Sequence, residues 1–182
     1  EIRCGVDGGG AGLPLERLAE EHDAVILAAG AFRPTLPSLP GADLEGVEAG
    51  LPFLSSVNEG GRTAVGRRVV VIGGGFTAMD CARVALRLGA DSVKVCYRRS
   101  LDEIVVTPGE REEVEYEGIP FELQVTPIAY LGRAGRVERI RFVRTRLGEP
   151  DTSGRRRPEI LPGSEFEMEA DHVLSATGQT PD

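Results

Sequence analysis

Between residues 67 and 100 the chain alternates between continuous apolar runs and apolar residues at helical spacing. Arg68–Ile72 (RVVVI) is β-branched and apolar without alternation, which is typical of a strand buried on both faces. Residues 77–88 carry apolar side chains at helical spacing, and Gly89 suits the position just after a helix. Ser92–Tyr97 is a second apolar run. The pattern predicts a strand–helix–strand unit of the parallel α/β type.

Further stretches predict elements around this unit. Residues 51–57 suggest a helical turn, and residues 110–117 suggest a helix rich in acidic side chains that face solvent. Period-two or β-branched runs predict three more strands, at residues 121–125, 137–147 and 166–169. The fold class that we expect is α/β, a Rossmann-like doubly wound parallel sheet with a small antiparallel meander.

Two segments outside the unit have the same form. Residues 23–31 (DAVILAAGA) and 171–182 (DHVLSATGQTPD) each place an acid before an apolar strand that leads into Ala-x-Gly. Glycine lets the backbone pass close to a flat ligand or another strand. We interpret the pair as a chain that leaves one domain near Gly30, completes a nucleotide-binding domain and re-enters the first near Gly178. Either segment alone is also compatible with a generic buried strand and turn.

The turn between the first predicted strand and the helix carries a glycine motif. It matches G-x-G-x-x-A and consists of Gly73, Gly74, Gly75, Phe76, Thr77 and Ala78. In dinucleotide-binding units Gly73 would permit the tight turn, Gly75 would let a pyrophosphate reach the backbone amides, and Ala78 would pack the helix on the strand. Thr77 would either donate its hydroxyl to a phosphate or cap the helix. The alternative is a glycine-rich turn without a ligand.

The end of the second predicted strand indicates which dinucleotide is bound. NAD-binding units place an acid there, on the ribose, whereas this chain has Arg98 and Arg99, and the nearest acid, Asp102, comes later. Two guanidinium groups match a ribose 2′-phosphate through charge-assisted hydrogen bonds. We therefore prefer NADP(H) to NAD(H). The alternative is a pair of solvated arginines at a strand end.

Composition narrows the function class. The chain has 182 residues, 41% of them hydrophobic and 27% charged, and its net charge of −8 argues against nucleic acid as a partner. No apolar run is long enough to span a bilayer, so no membrane partner is expected. The three cysteines form no CxxC pair, which predicts neither a metal site nor a disulfide framework and favours the cytoplasm.

No catalytic acid or base stands out. His22 and His172 lack a neighbouring nucleophile, so we predict no catalytic residue in this chain. The basic run GRRRP at residues 154–158 is read as a solvated loop tip in preference to a docking site for a partner.

Several segments together resemble a known family. They are VVVIGGGFTAMDCARVALRLGA, YRRS, HDAVILAAGA and RTRLGEPDTSGRRRPEILPGSEFEMEADHVLSATGQTPD. They look like the NADPH-dependent glutamate synthase small (beta) subunit family and, more broadly, the FAD-dependent pyridine nucleotide-disulphide-type oxidoreductases. This group is related to the reductase part of dihydropyrimidine dehydrogenase. The resemblance implies an NADPH domain inserted into an FAD domain, hydride transfer from NADPH to FAD, and electron flow through iron–sulfur clusters to a partner subunit.

The resemblance also implies roles for individual residues. The glycine motif would form the pyrophosphate loop, Arg98 and Arg99 the 2′-phosphate site, and Gly30 and Gly178 the crossovers near the flavin. One departure concerns Phe76, where the family usually has Asn or Asp; a phenyl ring makes no strong hydrogen bond.

We expect four segments on this basis. Residues 1–35 would be part of an FAD domain, 36–66 a connector, 67–175 the NADP(H)-binding domain and 176–182 the start of the return. FAD and iron–sulfur clusters would then be held outside this chain, by the rest of the parent protein and by an electron-accepting subunit. The alternatives are a non-catalytic nucleotide-binding module and an NAD(H)-linked module.

Overall fold

The computed structural model describes residues 2–6, 12–62, 64–152 and 154–181. The chain divides into two units, one reaching up to Ala31 and the other formed by Phe32–Thr180. In the described part of the first unit the regular element is helix α1 (Leu15–Glu21), which buries none of its residues. Among the described residues of the whole chain, no helix combines the length and apolar character that crossing a bilayer requires.

The strand predicted at residues 23–31 does not form. The described backbone there has no regular secondary structure, and Ile26 and Leu27 are 89% and 68% exposed. A strand satisfies its backbone donors and acceptors through a neighbouring strand, and no described strand pairs with this segment. The apolar pattern alone was therefore insufficient, and this prediction is wrong for the structure.

The second unit contains strands and helices in the following order. Its strands are β1 (Arg33–Pro34), β2 (Val47–Ala49), β3 (Arg68–Ile72), β4 (Ser92–Tyr97), β5 (Phe121–Leu123), β6 (Val125–Arg133), β7 (Arg136–Pro150), β8 (Arg156–Ile160), β9 (Phe166–Glu169), β10 (His172–Ser175) and β11 (Gln179–Thr180). Its helices are α2 (Gly50–Asn58), α3 (Phe76–Arg87) and α4 (Pro108–Tyr116), with a 3-10 turn at Leu101–Glu103.

The central sheet is parallel and has the order β2-β10-β3-β4-β5. In register, Val70 of β3 lies between Lys94 of β4 and Val173 of β10. Strand β10 comes from late in the chain and inserts between two earlier strands. The stretch expected as a connector contributes β2 and α2, so the sheet begins earlier than the apolar runs indicated.

The two faces of the central sheet are covered differently. Val69 and Val71 of β3 point into a core shared with the helices, where Met79 of α3 is fully buried. Val70 and Ile72 point into a second core shared with β6, β7 and β9, which form an antiparallel sheet. The expected α/β class with a parallel sheet and an antiparallel meander is confirmed, and the meander takes the place of helices on the second face.

Strand β8 begins within residues 154–158, the basic run that was read as a solvated loop tip. Residues 149–158 are polar and contain two prolines, a composition that favours a loop. In the structure β7 runs to Pro150 and β8 starts at Arg156, and the two strands pair antiparallel. Pairing with a long neighbouring strand outweighs the weak strand propensity of this stretch.

Candidate nucleotide-binding site

A cleft of about 420 Å³ lies at the carboxyl ends of three neighbouring strands, β3, β4 and β10. Residues at or just after the ends of these strands line it: Gly73, Gly74, Gly75, Tyr97, Arg98, Arg99, Ala176, Thr177 and Gly178. Crossovers in a parallel sheet leave a crevice outside the carboxyl ends of the strands, which is where such folds bind nucleotides. The central sheet therefore brings together the glycines, the two arginines and one of the two predicted crossover residues.

The first two glycines of the motif are required by packing. Gly73 has φ +153°, and a Cβ atom on it would collide with the carbonyl oxygen of Ala176 after β10. At Gly74 a Cβ atom would enter the ring of Tyr97, with Cζ only 2.7 Å away. These positions let β3 turn tightly between its neighbours, and the requirement at Gly74 was not evident from the sequence.

Gly75 has a different role. A Cβ atom built on it would meet no other heavy atom within 4 Å, so the position faces open space. Gly75 is also the N-cap residue of α3, and no side chain caps this helix end. Its carbonyl oxygen accepts from the amides of Ala78 and Met79 at 2.9 and 3.2 Å, which begins the helix. Bare backbone at the positive end of a helix suits a phosphate group.

The two predicted arginines differ in their surroundings. Arg98 is exposed, and its guanidinium makes no hydrogen bond or ion pair within the part of the chain that the structure describes. Arg99 is 6% exposed; its Nε donates to the carbonyl oxygen of Arg156 at 2.9 Å and lies 3.3 Å from Oε2 of Glu103. Arg98 is thus free to bind a ligand, whereas Arg99 is already engaged by the protein.

A third arginine lies in the cleft and was missed as a site residue. Arg155 Nη2 donates to the phenol oxygen of Tyr97 at 3.0 Å and to the carbonyl oxygen of Glu103 at 3.3 Å. Tyr97 in turn donates to the same carbonyl at 2.8 Å. The GRRRP run was the available signal, but its position in the fold could not be read from composition.

The remaining predicted residues lie outside the lining of the cleft. Phe76 is 52% exposed at the start of α3, Thr77 Oγ1 accepts from Gln179 Nε2 at 3.4 Å, and Ala78 is fully buried. Gly30 has φ +75° and belongs to the first unit of the chain. Ala78 therefore takes the helix-packing role that the motif predicts.

The electrostatics of the cleft oppose those of the whole chain. The chain carries a net charge of −8, yet three arginines and no aspartate or glutamate line the cleft. Cys96 also lies there, and burial raises the pKa of its thiol to about 12, so the thiol stays protonated near neutral pH. The cleft thus offers cationic and backbone donors for an anion and no thiolate nucleophile.

The sequence model of the pyridine nucleotide-disulphide oxidoreductase family matches residues 16–182, which is most of the chain. The chain belongs to this family. The resemblance stated from the sequence is confirmed, and the family is one of enzymes that carry out redox reactions.

Curated relatives extend the same assignment. The glutamate synthase [NADPH] small chain of Halomonas elongata is 46% identical over 94% of this chain, and the NADPH-Fe(3+) oxidoreductase subunit beta of Geobacter sulfurreducens is 45% identical over 95%. The chain spans only 38% and 26% of the lengths of these two relatives. This family member therefore corresponds to one part of each relative.

A solved structure shows the same fold at lower identity. FprA of Mycobacterium tuberculosis, determined in complex with NADPH, superposes with a TM-score of 0.77 at 24% identity, covering 92% of this chain and 52% of FprA. Thioredoxin reductase of Lactococcus lactis gives a TM-score of 0.60 at 18% identity, covering 84% and 44%. These likenesses confirm the fold of the nucleotide unit.

Proposed function

We propose that this chain is the NADP(H)-binding domain of a flavin-dependent oxidoreductase. The observation that carries the proposal is the cleft itself, where the open backbone at Gly75 lies beside three arginines and no aspartate or glutamate is among the lining residues, although the chain as a whole is acidic. FprA, the structural neighbour, is named as a complex with NADPH, and both curated relatives have NADPH in their names.

The residues of the cleft fit the parts of this coenzyme. The pyrophosphate would lie against the bare backbone at Gly75, at the uncapped start of α3, where amide donors and the helix dipole favour negative charge. The adenosine 2′-phosphate would lie at the end of β4, beside Arg98 and Arg99, where guanidinium groups can donate paired hydrogen bonds. The chain's contribution is to bind and orient the coenzyme.

The second cofactor belongs to the remainder of a longer parent protein in this proposal. NADPH supplies a hydride and FAD accepts it when both are bound. Gly30 and Gly178 are proposed as the crossovers into an FAD domain. Near Gly178, β1 and β11 pair antiparallel, and Thr35 N donates to the carbonyl oxygen of Gly178 at 2.9 Å, so the outgoing and returning segments are bonded side by side.

The same proposal divides the chain into four segments and includes a partner subunit. We propose residues 1–35 as FAD-domain sequence, 36–66 as a connector that also contributes β2 and α2 to the nucleotide unit, 67–175 as the nucleotide domain and 176–182 as the return. Relatives are named as a small chain and as beta subunits, which supports an electron-accepting partner subunit. Iron–sulfur clusters would lie in the rest of the parent or in that partner, in the cytoplasm.

Substituting Gly75 tests the pyrophosphate position. Gly75→Ala adds a methyl group where the protein has open space, so the fold is expected to stay intact while the methyl group blocks the close approach of a phosphate. We expect NADPH affinity, measured by fluorescence titration, to fall by about tenfold or more. Gly109→Ala in α4, which also meets no heavy atom within 4 Å, is the matched control. Equal affinity in both variants would contradict the proposal.

The arginines and the flavin provide two further tests. The double variant Arg98→Ala with Arg99→Ala should weaken NADPH binding much more than NADH binding, and equal losses would refute the 2′-phosphate assignment.

The purified chain should be colourless, and stoichiometric bound flavin would contradict the location proposed for FAD. A folded chain without saturable NADPH binding would favour a non-catalytic module.

A further inference from the structure

Arg155 is positioned by a hydrogen-bonded turn between β7 and β8. Asp151 N donates to the carbonyl oxygen of Arg155 at 2.8 Å, and Asp151 Oδ1 accepts from Arg155 N at 3.2 Å. Gly154 adopts φ +79°, which closes the turn at a position where other residues would be strained. Beyond the turn, Arg156 pairs with Pro150 across the two strands. The backbone thus directs Arg155 away from the loop tip.

Among the described residues, the guanidinium of Arg155 donates only to neutral acceptors. Its Nη2 contacts the phenol oxygen of Tyr97 and the carbonyl oxygen of Glu103, and no carboxylate pairs with it among the residues that the structure describes. The phenol is itself anchored, because Tyr97 is 7% exposed and donates to the same carbonyl. The result is a preorganised cation whose charge is left for a ligand.

Arg99 has the opposite arrangement. Its side chain is buried, its Nε donates to the carbonyl oxygen of Arg156, and Glu103 supplies a carboxylate 3.3 Å away. Through the bond to Arg156, it holds the backbone of the residue next to Arg155 against the end of β4. Arg99 therefore fits the role of a positioning residue.

We propose that Arg98 and Arg155 together hold the 2′-phosphate of the coenzyme, and that the β7–β8 turn is a specificity element of the nucleotide site. The inference rests on the proposed function and refines it by replacing Arg99 with Arg155 as the second direct ligand. A ribose phosphate carries about 1.5 to 2 negative charges near neutral pH, which matches two uncompensated guanidinium groups better than one.

The decisive measurement is the ratio of NADP⁺ to NAD⁺ affinity, determined by calorimetry on the full chain. Arg155→Ala should lower NADP⁺ affinity by about tenfold to a hundredfold, the range for a hydrogen bond to a charged group, and leave NAD⁺ affinity within about twofold. Arg155→Lys should recover part of the loss because the charge is kept. Arg157→Ala, an exposed arginine two residues on that does not line the cleft, should leave the ratio unchanged.

A purely structural role for Arg155 predicts a different result, since loosening the turn would weaken both coenzymes and leave their ratio unchanged. That outcome overturns the inference, while preference of the wild-type chain for NADP⁺ would still support the proposed function. A wild-type chain that binds neither coenzyme would overturn both.

A second measurement needs no variant. Trypsin cleaves after arginine, and the turn presents Arg155 and Arg156 in sequence. If the coenzyme phosphate contacts Arg155, saturating NADP⁺ should slow cleavage after residue 155 by about tenfold relative to saturating NAD⁺, because an engaged side chain must be released before cleavage. Equal cleavage rates under the two ligands would overturn the inference.

Discussion

Two arginine clusters of the nucleotide unit contain similar side chains in opposite surroundings. The helix cluster joins α3 to α4: Arg83 lies 2.7 Å from both Glu113 and Glu117, and Arg87 lies 2.8 Å from Glu117. The cleft cluster consists of Arg98, Arg99 and Arg155, and within the described parts of the chain it has a single carboxylate partner, that of Glu103 on Arg99. The first cluster is neutralised within the chain, whereas the second keeps a net positive charge.

The contrast distinguishes arginines that join elements from arginines that bind ligands. The acidic helix α4 was expected to present a solvated face, but two of its glutamates, Glu110 and Glu113, lie within 4 Å of Arg83, as does Glu117 just after the helix. A guanidinium that is surrounded by carboxylates has little uncompensated charge and few free N–H donors with which to bind an anion. One with only neutral acceptors keeps both its charge and free N–H donors.

The largest effect is expected from a substitution that disrupts only the cleft cluster. Arg98→Ala should lower NADPH affinity by about tenfold to a hundredfold, because a charge-assisted hydrogen bond to the 2′-phosphate is lost. The melting temperature should not change, since the side chain has no partner among the described residues. Fluorescence titration with NADPH and NADH and a thermal melt measure the two quantities. A drop in melting temperature of several degrees would place Arg98 with the structural arginines.

The second prediction concerns a substitution that disrupts the helix cluster. Arg83→Ala leaves Glu113 and Glu117 close together without their shared cation. We expect the free energy of unfolding to fall by about 1 kcal/mol, the upper end of the usual range for a surface ion pair, and the melting temperature to fall by about 2–4 °C. NADPH affinity of the folded variant should equal that of the wild type. Loss of affinity without loss of stability would reverse the assignment of the two clusters.

The salt dependence of coenzyme binding is a third test of the cleft cluster, with a smaller expected effect. The attraction between the cleft cluster and a phosphorylated ribose is partly exposed, so raising the salt concentration from about 50 to 500 mM should weaken NADPH binding by about threefold to tenfold. NADH lacks the 2′-phosphate, and its affinity should change less. Calorimetry at several salt concentrations measures both slopes. Parallel slopes for the two coenzymes would mean that the cleft charges do not contact the extra phosphate.

The smallest effect is the pH dependence of the helix cluster. Burial raises the pKa of Glu117, but hydrogen bonds from Arg87 and Arg83 outweigh it and leave the pKa below its ordinary value of 4.5. A carboxyl group with a lowered folded-state pKa contributes stability that is complete above its unfolded pKa and is lost as the pH falls through the folded value.

Glu117→Gln should therefore lower the melting temperature by about 1–3 °C near pH 7, the size expected for an exposed ion pair. The difference should shrink as the pH falls below 4.5 and through the lowered pKa of the folded state, where the wild-type carboxyl becomes protonated. Thermal melts of both proteins across this range measure it. A difference that persists at low pH would show that the carboxylate charge is not responsible.

Much of the nucleotide unit follows from local pattern. Strands β3 and β4 have the predicted bounds, and α3 begins one residue earlier than the apolar spacing suggested. Continuous β-branched runs and a helical repeat leave few alternatives over such short stretches. The glycine motif was placed correctly at the turn after β3 for the same reason.

Long-range pairing decided the rest. Residues 23–31 and β10 have similar apolar sequences, yet only β10 has strands on both sides, and only β10 is buried throughout its length. Strand β8 has an unfavourable sequence but a long antiparallel neighbour. Whether a segment becomes a strand depends on partners that its own residues do not reveal.

Residue order alone was enough to specify β3, α3 and β4, the glycine turn and two arginines at the end of β4, because each depends on neighbours within a few positions. Contacts between residues far apart in the sequence decide which arginines keep an uncompensated charge. Arg83 and Glu117 are 34 residues apart, and Arg155 and Tyr97 are 58 residues apart. Coulomb attraction and hydrogen bonding act over a few ångströms in space, so only the packed chain sets which of these groups meet.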